Sequence, residues 1–157
     1  MRASLAVVAL AVFALVSCKK DTDEQKLYKI LDAGVAELEA GNVKGAMEFV
    51  AEDFSDDAGL DKQTIRGVLA GQVLRGSRIT IMRRDEKVKV DGDTATATLD
   101  VALFQGDRSK MKGVVPERSG TYRFTITFRR DESEWLITKA KYEAISAGSF
   151  IVNSIGN

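Results

Sequence analysis

The chain has 157 residues, with 23 basic and 23 acidic side chains that leave no net charge, and it contains no histidine. This length is enough for one domain to bury a hydrophobic core without metals or disulfides. A nucleic-acid surface needs clustered Lys and Arg, so the balanced charge argues against one. Histidine is the commonest metal ligand and the usual general base near neutral pH. Because the sequence has none, we expect no metal site and no cofactor.

The first residues have the pattern of a targeting signal. Met1 and Arg2 give a basic start, and residues 3–16 form an apolar run that matches a signal-peptide core and is too short to span a bilayer. The sequence LVSC at 15–18 resembles the bacterial lipobox. The resemblance implies cleavage after residue 17, diacylglycerol on the Cys18 sulfur, and acylation, typically by palmitate, of the new amino terminus. The alternatives are an ordinary secretory signal with an incidental Cys18, or an uncleaved membrane anchor.

The lipobox resemblance also predicts where the protein is located. A residue other than Asp after the lipidated cysteine fits the outer membrane of a bacterial envelope better than the inner one, and Lys19 follows Cys18 here. Residues 18–23 would be the lipidated cysteine and its tether, which reaches at most ~17 Å when extended. We therefore expect a folded domain held close to a membrane.

Three amphipathic helices are predicted at the start of that domain, ahead of any strand. Thr22 or Asp23 is expected to cap the first, and the second is expected to end at residues 52–54. Asp61 is expected to cap the third, which Gly76 would end. Their apolar stripes are Leu27, Ile30, Leu31, Val35 and Leu38; Val43, Ala46, Met47 and Val50; and Ile65, Val68, Leu69 and Val73.

The strands follow the helices. Isoleucines occupy odd positions of residues 78–83, and valines occupy the even positions of residues 87–91. This shift of the apolar positions by one residue indicates either two strands or one bent strand. Residues 91–93 form a hairpin turn, and residues 94–104 alternate again, with a polar face that we expect to be solvated. Residues 121–129 alternate most regularly and lead through a polar turn at 131–134 into a return strand.

Two further segments allow more than one interpretation. Residues 105–120 are a long irregular stretch, either an ordinary hairpin loop or a partner-contact loop. Its basic residues are Arg108, Lys110, Lys112 and Arg118. Residues 144–157 form an uncharged tail that either docks on the domain or stays loose.

Several short motifs together resemble the nuclear transport factor 2-like superfamily. They are AGNV at 40–43, AEDF at 51–54, VDGDTA at 90–95, FRR at 128–130 and WLI at 135–137. The resemblance spans residues 24–143 and implies an α+β, cystatin-like cone, in which three N-terminal helices pack on a strongly curved antiparallel sheet. It also implies that the outer sheet face could form a homodimer.

Enzymes of this superfamily work inside the cone with inward Asp, His or Tyr side chains. The inward positions predicted here are apolar or aromatic, so a base beside the substrate is missing from the pattern. Asp53, Asp56 and Asp57 are the acids that could supply such a base, but an acidic loop at a helix end is usually solvated. The candidate pocket consists of Tyr28, Phe49, Phe54, Leu99, Val101, Tyr122, Phe124, Phe128 and Tyr142.

These patterns favour a membrane-tethered, non-catalytic envelope lipoprotein whose cone binds a protein partner or a small apolar ligand. The alternative is an isomerase-like or cyclase-like enzyme that acts on a small hydrophobic substrate. An inward carboxylate near Tyr122 would favour the enzyme.

Overall fold

Helices pack on one curled sheet of five strands, which confirms the predicted α+β class. The structure is a computed structural model, and it describes residues 20–75, 79–105 and 120–152. The elements are α1 (Asp23–Glu39), α2 (Val43–Glu48), β1 (Val50–Asp56), α3 (Lys62–Leu74), β2 (Ile79–Asp91), β3 (Thr94–Gln105), β4 (Gly120–Asp131), β5 (Glu134–Ala144) and α4 (Ala147–Val152).

The sheet order is β1-β5-β4-β3-β2. Strands β2 to β5 form an antiparallel meander, whereas β1 joins the edge of β5 in parallel. The β2–β3 and β4–β5 turns lie at the same end of the meander, which we call the hairpin end. The opposite end of the sheet is called the open end.

The helix boundaries follow their capping residues. Thr22 caps α1 in a capping box, because its side chain accepts from the Gln25 backbone N–H and the Gln25 side chain accepts in return from Thr22 N–H. Gly41, at φ +75°, follows the helix in the left-handed region that glycine adopts without strain. Asp61 caps α3 through a 2.8 Å bond from Thr64 N–H. These caps confirm the predicted starts of α1 and α3.

The predicted end of the second helix is wrong. Helix α2 ends at Glu48, and Val50 begins β1, where it pairs with Ile137 of β5. An apolar run this short fits a helical stripe and a buried strand equally well. Pairing with β5 decides between them, so β1 lies between the second and third helices.

Strand β2 is one bent strand, which settles an alternative that the sequence leaves open. Its register with β3 shifts between Arg84 and Lys87, and Asp85 within the shift has φ +51°. The change in apolar parity is therefore a β-bulge that bends the edge strand around the sheet.

The sequence led us to expect a solvated polar face on β3, but part of this face is buried. Asp100 is only 1% exposed, and both of its carboxylate oxygens accept hydrogen bonds from Arg123 of β4, at 2.7 and 2.8 Å. Ala102 and Phe104 on the same face are also buried. Part of the outer face of the sheet is therefore covered.

Helix α4 contributes to this cover. Phe150 is 1% exposed, its carbonyl accepts from Arg84 Nη1 at 3.2 Å, and the Arg84 guanidinium lies 5.1 Å from the centre of its ring. On β4, Thr121 exchanges two hydrogen bonds with Ile145, at 2.6 and 2.9 Å. The tail thus docks on the outer face through residue 150.

Two hydrophobic clusters fill the concave side. In the first, α1 packs on the inner positions of the sheet, where Ala95 and Ala97 let the helix approach closely. Its buried members are Leu27, Leu31, Ile81, Ala95, Ala97, Leu99, Val101, Phe128 and Trp135. The second joins α2 to β1, with α3 residues packed against it, and its buried members are Val43, Ala46, Met47, Val50 and Phe54.

A group of charges, the Asp23 clasp, closes the hairpin end. Arg130 of β4 donates to Asp23 at 2.8 Å and, through Nε, to Asp93 at 2.9 Å. Trp135 Nε1 donates to Asp23 at 3.3 Å, and Arg130 lies 5.2 Å from the centre of the Trp135 ring. These contacts join the start of α1 to both hairpin turns.

We expect Phe150→Ala to lower the free energy of unfolding by about 3 kcal/mol, because it removes a buried aromatic side chain. Leu74→Ala is the matched control, since Leu74 is 87% exposed and its loss removes little buried area. Urea unfolding of the two variants measures both effects. Equal, small changes in both would contradict the docking of α4.

The Asp23 clasp gives stability a dependence on acid pH. The pKa of Asp23 lies below its ordinary value of 3.8, mainly because Lys26, and then Trp135, donates hydrogen bonds to the carboxylate. A depressed carboxyl pKa stabilises the fold above the unfolded-state pKa, and this contribution is lost as pH falls through the folded-state value. The advantage of wild type over Asp23→Asn should hold from about pH 7 to about pH 5 and shrink below about pH 4.

Urea unfolding at about pH 6 and at about pH 3 measures this change. Glu24→Gln is the control, because Glu24 is an exposed carboxylate in the same helical turn. An advantage over Asp23→Asn that is the same at both pH values would show that Asp23 does not contribute through its charge.

Candidate binding site

Three aromatic rings form a cluster on the concave face, which we call the aromatic patch: Tyr122, Phe124 and Tyr142. Ring centres lie 6.3 Å apart for Tyr122 and Phe124, 6.0 Å for Tyr122 and Tyr142, and 5.7 Å for Phe124 and Tyr142. The two contacts of Tyr122 are edge-to-face, an arrangement that aromatic pairs prefer. Tyr142 remains 50% exposed, so the patch is accessible from solvent.

Strand register brings these rings together. Phe124 of β4 pairs with Tyr142 of β5, and Tyr122 lies two residues earlier on the same face of β4. Gly120 makes room for the Tyr122 ring, since a Cβ at position 120 would lie 2.5 Å from Tyr122 Cε2 and 2.8 Å from its hydroxyl oxygen. The patch therefore depends on a glycine as well as on alternation.

The other predicted pocket residues lie in different surroundings. Leu99 and Val101 of β3 pair with Phe124 and Tyr122, so they continue the patch into the core. The remaining four lie elsewhere: Phe54 and Phe128 are buried in the two clusters, Phe49 is half-buried at the end of α2, and Tyr28 is 36% exposed on α1.

Arg83 is an inward-facing charge that the sequence analysis missed. Arg83 lies two residues after Ile81 and four after Ile79, so the three side chains share one face of β2. This alternation was the sequence signal that could have predicted the inward position of Arg83. Arg83 lines an open cleft of about 350 Å³ between α1 and β2. The cleft residues are Asp32, Val35, Ala36, Glu39, Ile81, Arg83 and Glu86.

The charges of this cleft are engaged in holding α1 on β2. Arg83 pairs with Asp32 of α1 and, through Nε at 3.3 Å, with Glu86. Glu39 accepts a 2.8 Å hydrogen bond from Ile81 N–H. Within the described residues, Arg83 Nη1 is buried without a hydrogen-bond partner. Each carboxylate of the cleft thus has a cationic or amide partner, as is typical of structural ion pairs.

The three candidate bases, Asp53, Asp56 and Asp57, also have partners. Arg129 donates to both oxygens of Asp53, at 2.8 and 3.2 Å, and holds the pKa of that carboxyl below its usual range. Asp56 accepts from Leu60 N–H at 2.7 Å within a turn. Asp57 is exposed, 3.6 Å from Lys141. A general base needs a pKa near the working pH, which Asp53 lacks.

Several predictions lie outside the described residues. They concern the signal and Cys18, the cap at Gly76, and the basic residues of the loop, Arg108, Lys110, Lys112 and Arg118. In residues 20–75, 79–105 and 120–152, the helices are too short or too polar to cross a bilayer.

Similar proteins are found among solved structures. No protein-family model matches the sequence, and neither does any curated protein. An NTF2-like protein with a cystatin-like fold from Novosphingobium aromaticivorans is 18% identical, with a TM-score of 0.64 over 83% of this chain and 88% of that one. The fold is nuclear transport factor 2-like.

Two further structures agree with this assignment. An NTF2-like protein from Cytophaga hutchinsonii is 11% identical, with a TM-score of 0.63 over 80% of this chain and 100% of that one. A protein from N. aromaticivorans described as a candidate scytalone dehydratase is 9% identical, with a TM-score of 0.64 over 78% of this chain and 84% of that one. At such identities the likeness shows the nuclear transport factor 2-like fold alone.

Gly120→Ala tests the packing of the aromatic patch. We expect it to displace the Tyr122 ring and lower stability, because the new methyl group would overlap ring atoms. Gly67→Ala is the matched control: no atom lies within 4 Å of its Cβ position in α3, so it should stabilise by about 0.5–1 kcal/mol. Near-ultraviolet circular dichroism and urea unfolding measure both effects. An unchanged aromatic spectrum for Gly120→Ala would contradict the contact.

Proposed function

We propose that this protein is a membrane-tethered, non-catalytic binding domain that takes a small apolar ligand on the aromatic patch. The observation that supports the proposal is the ring cluster itself, with Tyr142 50% exposed at its edge. Exposed aromatic surface of this kind is favourable to cover, at about 25 cal/mol per Å² of apolar area. A ligand with a flat ring gains a further ~0.5–1.5 kcal/mol from each well-oriented ring contact.

The polar groups near the patch suit recognition of an apolar molecule. Ligand pockets are mostly apolar walls with a few polar groups that fix orientation. The hydroxyls of Tyr122 and Tyr142 are such groups, each able to donate or accept one hydrogen bond. The patch therefore favours a ring-bearing ligand with a single polar substituent.

The arrangement of carboxylates supports binding over catalysis. An isomerase or cyclase needs a base beside the reacting carbon and a donor for the developing oxyanion. The carboxylates on the inner side of α1 and β2 are Asp32, Glu39 and Glu86, and they are held by Arg83 or by a backbone amide. Because these inner carboxylates of α1 and β2 are all held by partners, the tyrosine hydroxyls of the patch support a binding role better than a catalytic one.

The proposed tether rests on the lipobox sequence at 15–18. Lipid on the sulfur and on the amino terminus of Cys18 would give several buried acyl chains, and each CH₂ contributes about 0.8 kcal/mol to membrane binding. The resulting location is a bacterial envelope membrane, with the outer membrane favoured by Lys19.

Titration with N-phenyl-1-naphthylamine, a neutral apolar dye, tests the binding site. We expect it to bind wild type with enhanced fluorescence and to bind Tyr142→Ala about tenfold more weakly, equivalent to ~1.4 kcal/mol. Leu74→Ala is the control, because it removes an exposed apolar side chain on α3 instead. Absence of binding, or equal loss in both variants, would contradict the site.

Cys18→Ser tests the tether. We expect the variant to appear in the soluble fraction after cell lysis, since no lipid can attach to serine by this route. Lys19→Ser is the control, because it keeps the cysteine and should stay in the membrane fraction. Membrane retention of Cys18→Ser would count against lipidation.

A further inference from the structure

We infer that the hairpin end of the domain faces the membrane and that the open end faces away, so the cone takes its ligand from the aqueous phase. This inference rests on the proposed lipid tether at Cys18.

Helix α1 runs from the hairpin end towards the open end. Its first residue, Asp23, accepts hydrogen bonds from Arg130 and Trp135, which lie next to the β4–β5 turn. Its last residue, Glu39, accepts a hydrogen bond from Ile81 near the start of β2. Because the other end of β2 leads into the β2–β3 turn, the chain enters the domain at its hairpin end.

The chain between Cys18 and α1 is short. Thr22, the N-cap, is four residues beyond Cys18, which allows at most about 14 Å of extended chain. Helix α1 has 17 residues, about 25 Å of rise. A lipid anchor at Cys18 therefore keeps the hairpin end near the headgroups, while an upright domain carries its open end well beyond them.

The hairpin turns carry charge that keeps them in water. The exposed acids at the two turns are Asp91, Asp93, Asp131, Glu132 and Glu134. Arg130 pairs with Asp93, and Arg129 pairs with Asp131 and Asp53, so the acids outnumber their arginine partners. Anionic lipid headgroups repel such a surface over a Debye length of about 8–10 Å. This repulsion opposes entry of the turns into the bilayer, while the short chain between Cys18 and Thr22 limits how far the turns can move from the headgroups.

The aromatic patch lies far from these turns. Tyr142 is eight residues along β5 from Glu134, about 27 Å of strand. On an anchored domain the patch would then open towards water, out of contact with acyl chains. This position suits a ligand that is delivered through the aqueous phase or by a soluble carrier, rather than one extracted from the bilayer.

Fluorescence quenching on vesicles tests the orientation. The full lipidated protein is reconstituted in phosphatidylethanolamine–phosphatidylglycerol vesicles that contain a nitroxide on some lipid headgroups. A fluorescent label is attached to Ser133→Cys in the β4–β5 turn or to Gln105→Cys at the far end of β3. Both positions are exposed, and Cys18 is the only native cysteine, with its sulfur occupied by lipid.

We expect most of the fluorescence to be lost at position 133 and little at position 105. Equal quenching at both positions, stronger quenching at 105, or none at either on floating vesicles would overturn the orientation. Vesicle flotation is read separately, since failure to float would refute the tether itself and with it this inference. Dye binding to the unanchored domain reports on the ligand site independently of both.

Discussion

The fold depends on one placement, that of α1 across the concave face of the sheet. Leu27 and Leu31 bury their side chains over Ala95 and Ala97, where small residues permit close approach. The Asp23 clasp fixes one end of the helix, and the bond from Ile81 N–H to Glu39 fixes the other. With α1 in this position, the core is closed at the hairpin end, while the aromatic patch on β4 and β5 stays partly exposed.

Charge in this protein serves chiefly to hold elements together. Arg130 joins α1 to the hairpins, Arg129 joins β1 to β4, Arg83 joins α1 to β2, and Arg123 satisfies the buried Asp100. Arg129 lowers the pKa of the Asp53 carboxyl, which makes this carboxylate a poor base near neutral pH. The aromatic patch, by contrast, has polar hydroxyls and apolar surface available for a ligand.

Much of the fold could be predicted because local signals agreed with the tertiary structure. The caps at Thr22 and Asp61, the turn at residue 92 and the alternation of β4 each depend on neighbouring residues. Strand β1 could not be predicted, because its identity comes from pairing with β5, far along the chain. Arg83 was missed for the same kind of reason: only its ion pair with Asp32, on another element, makes an inward arginine stable. The alternation of β4 predicted that the rings of Tyr122 and Phe124 share one face. It could not predict their contact with Tyr142, which lies on another strand.

The most direct test of the central claim, that the cone carries a small apolar ligand, is native mass spectrometry of the domain. The domain is expressed without Cys18 and purified without detergent, and its native spectrum is compared with that of the same sample after denaturation. We expect an additional mass of a few hundred daltons in the native spectrum alone, and a smaller fraction of the protein carrying it in Tyr142→Ala. A native mass equal to the bare chain, which stays unchanged after addition of a neutral aromatic ligand in excess, would contradict it.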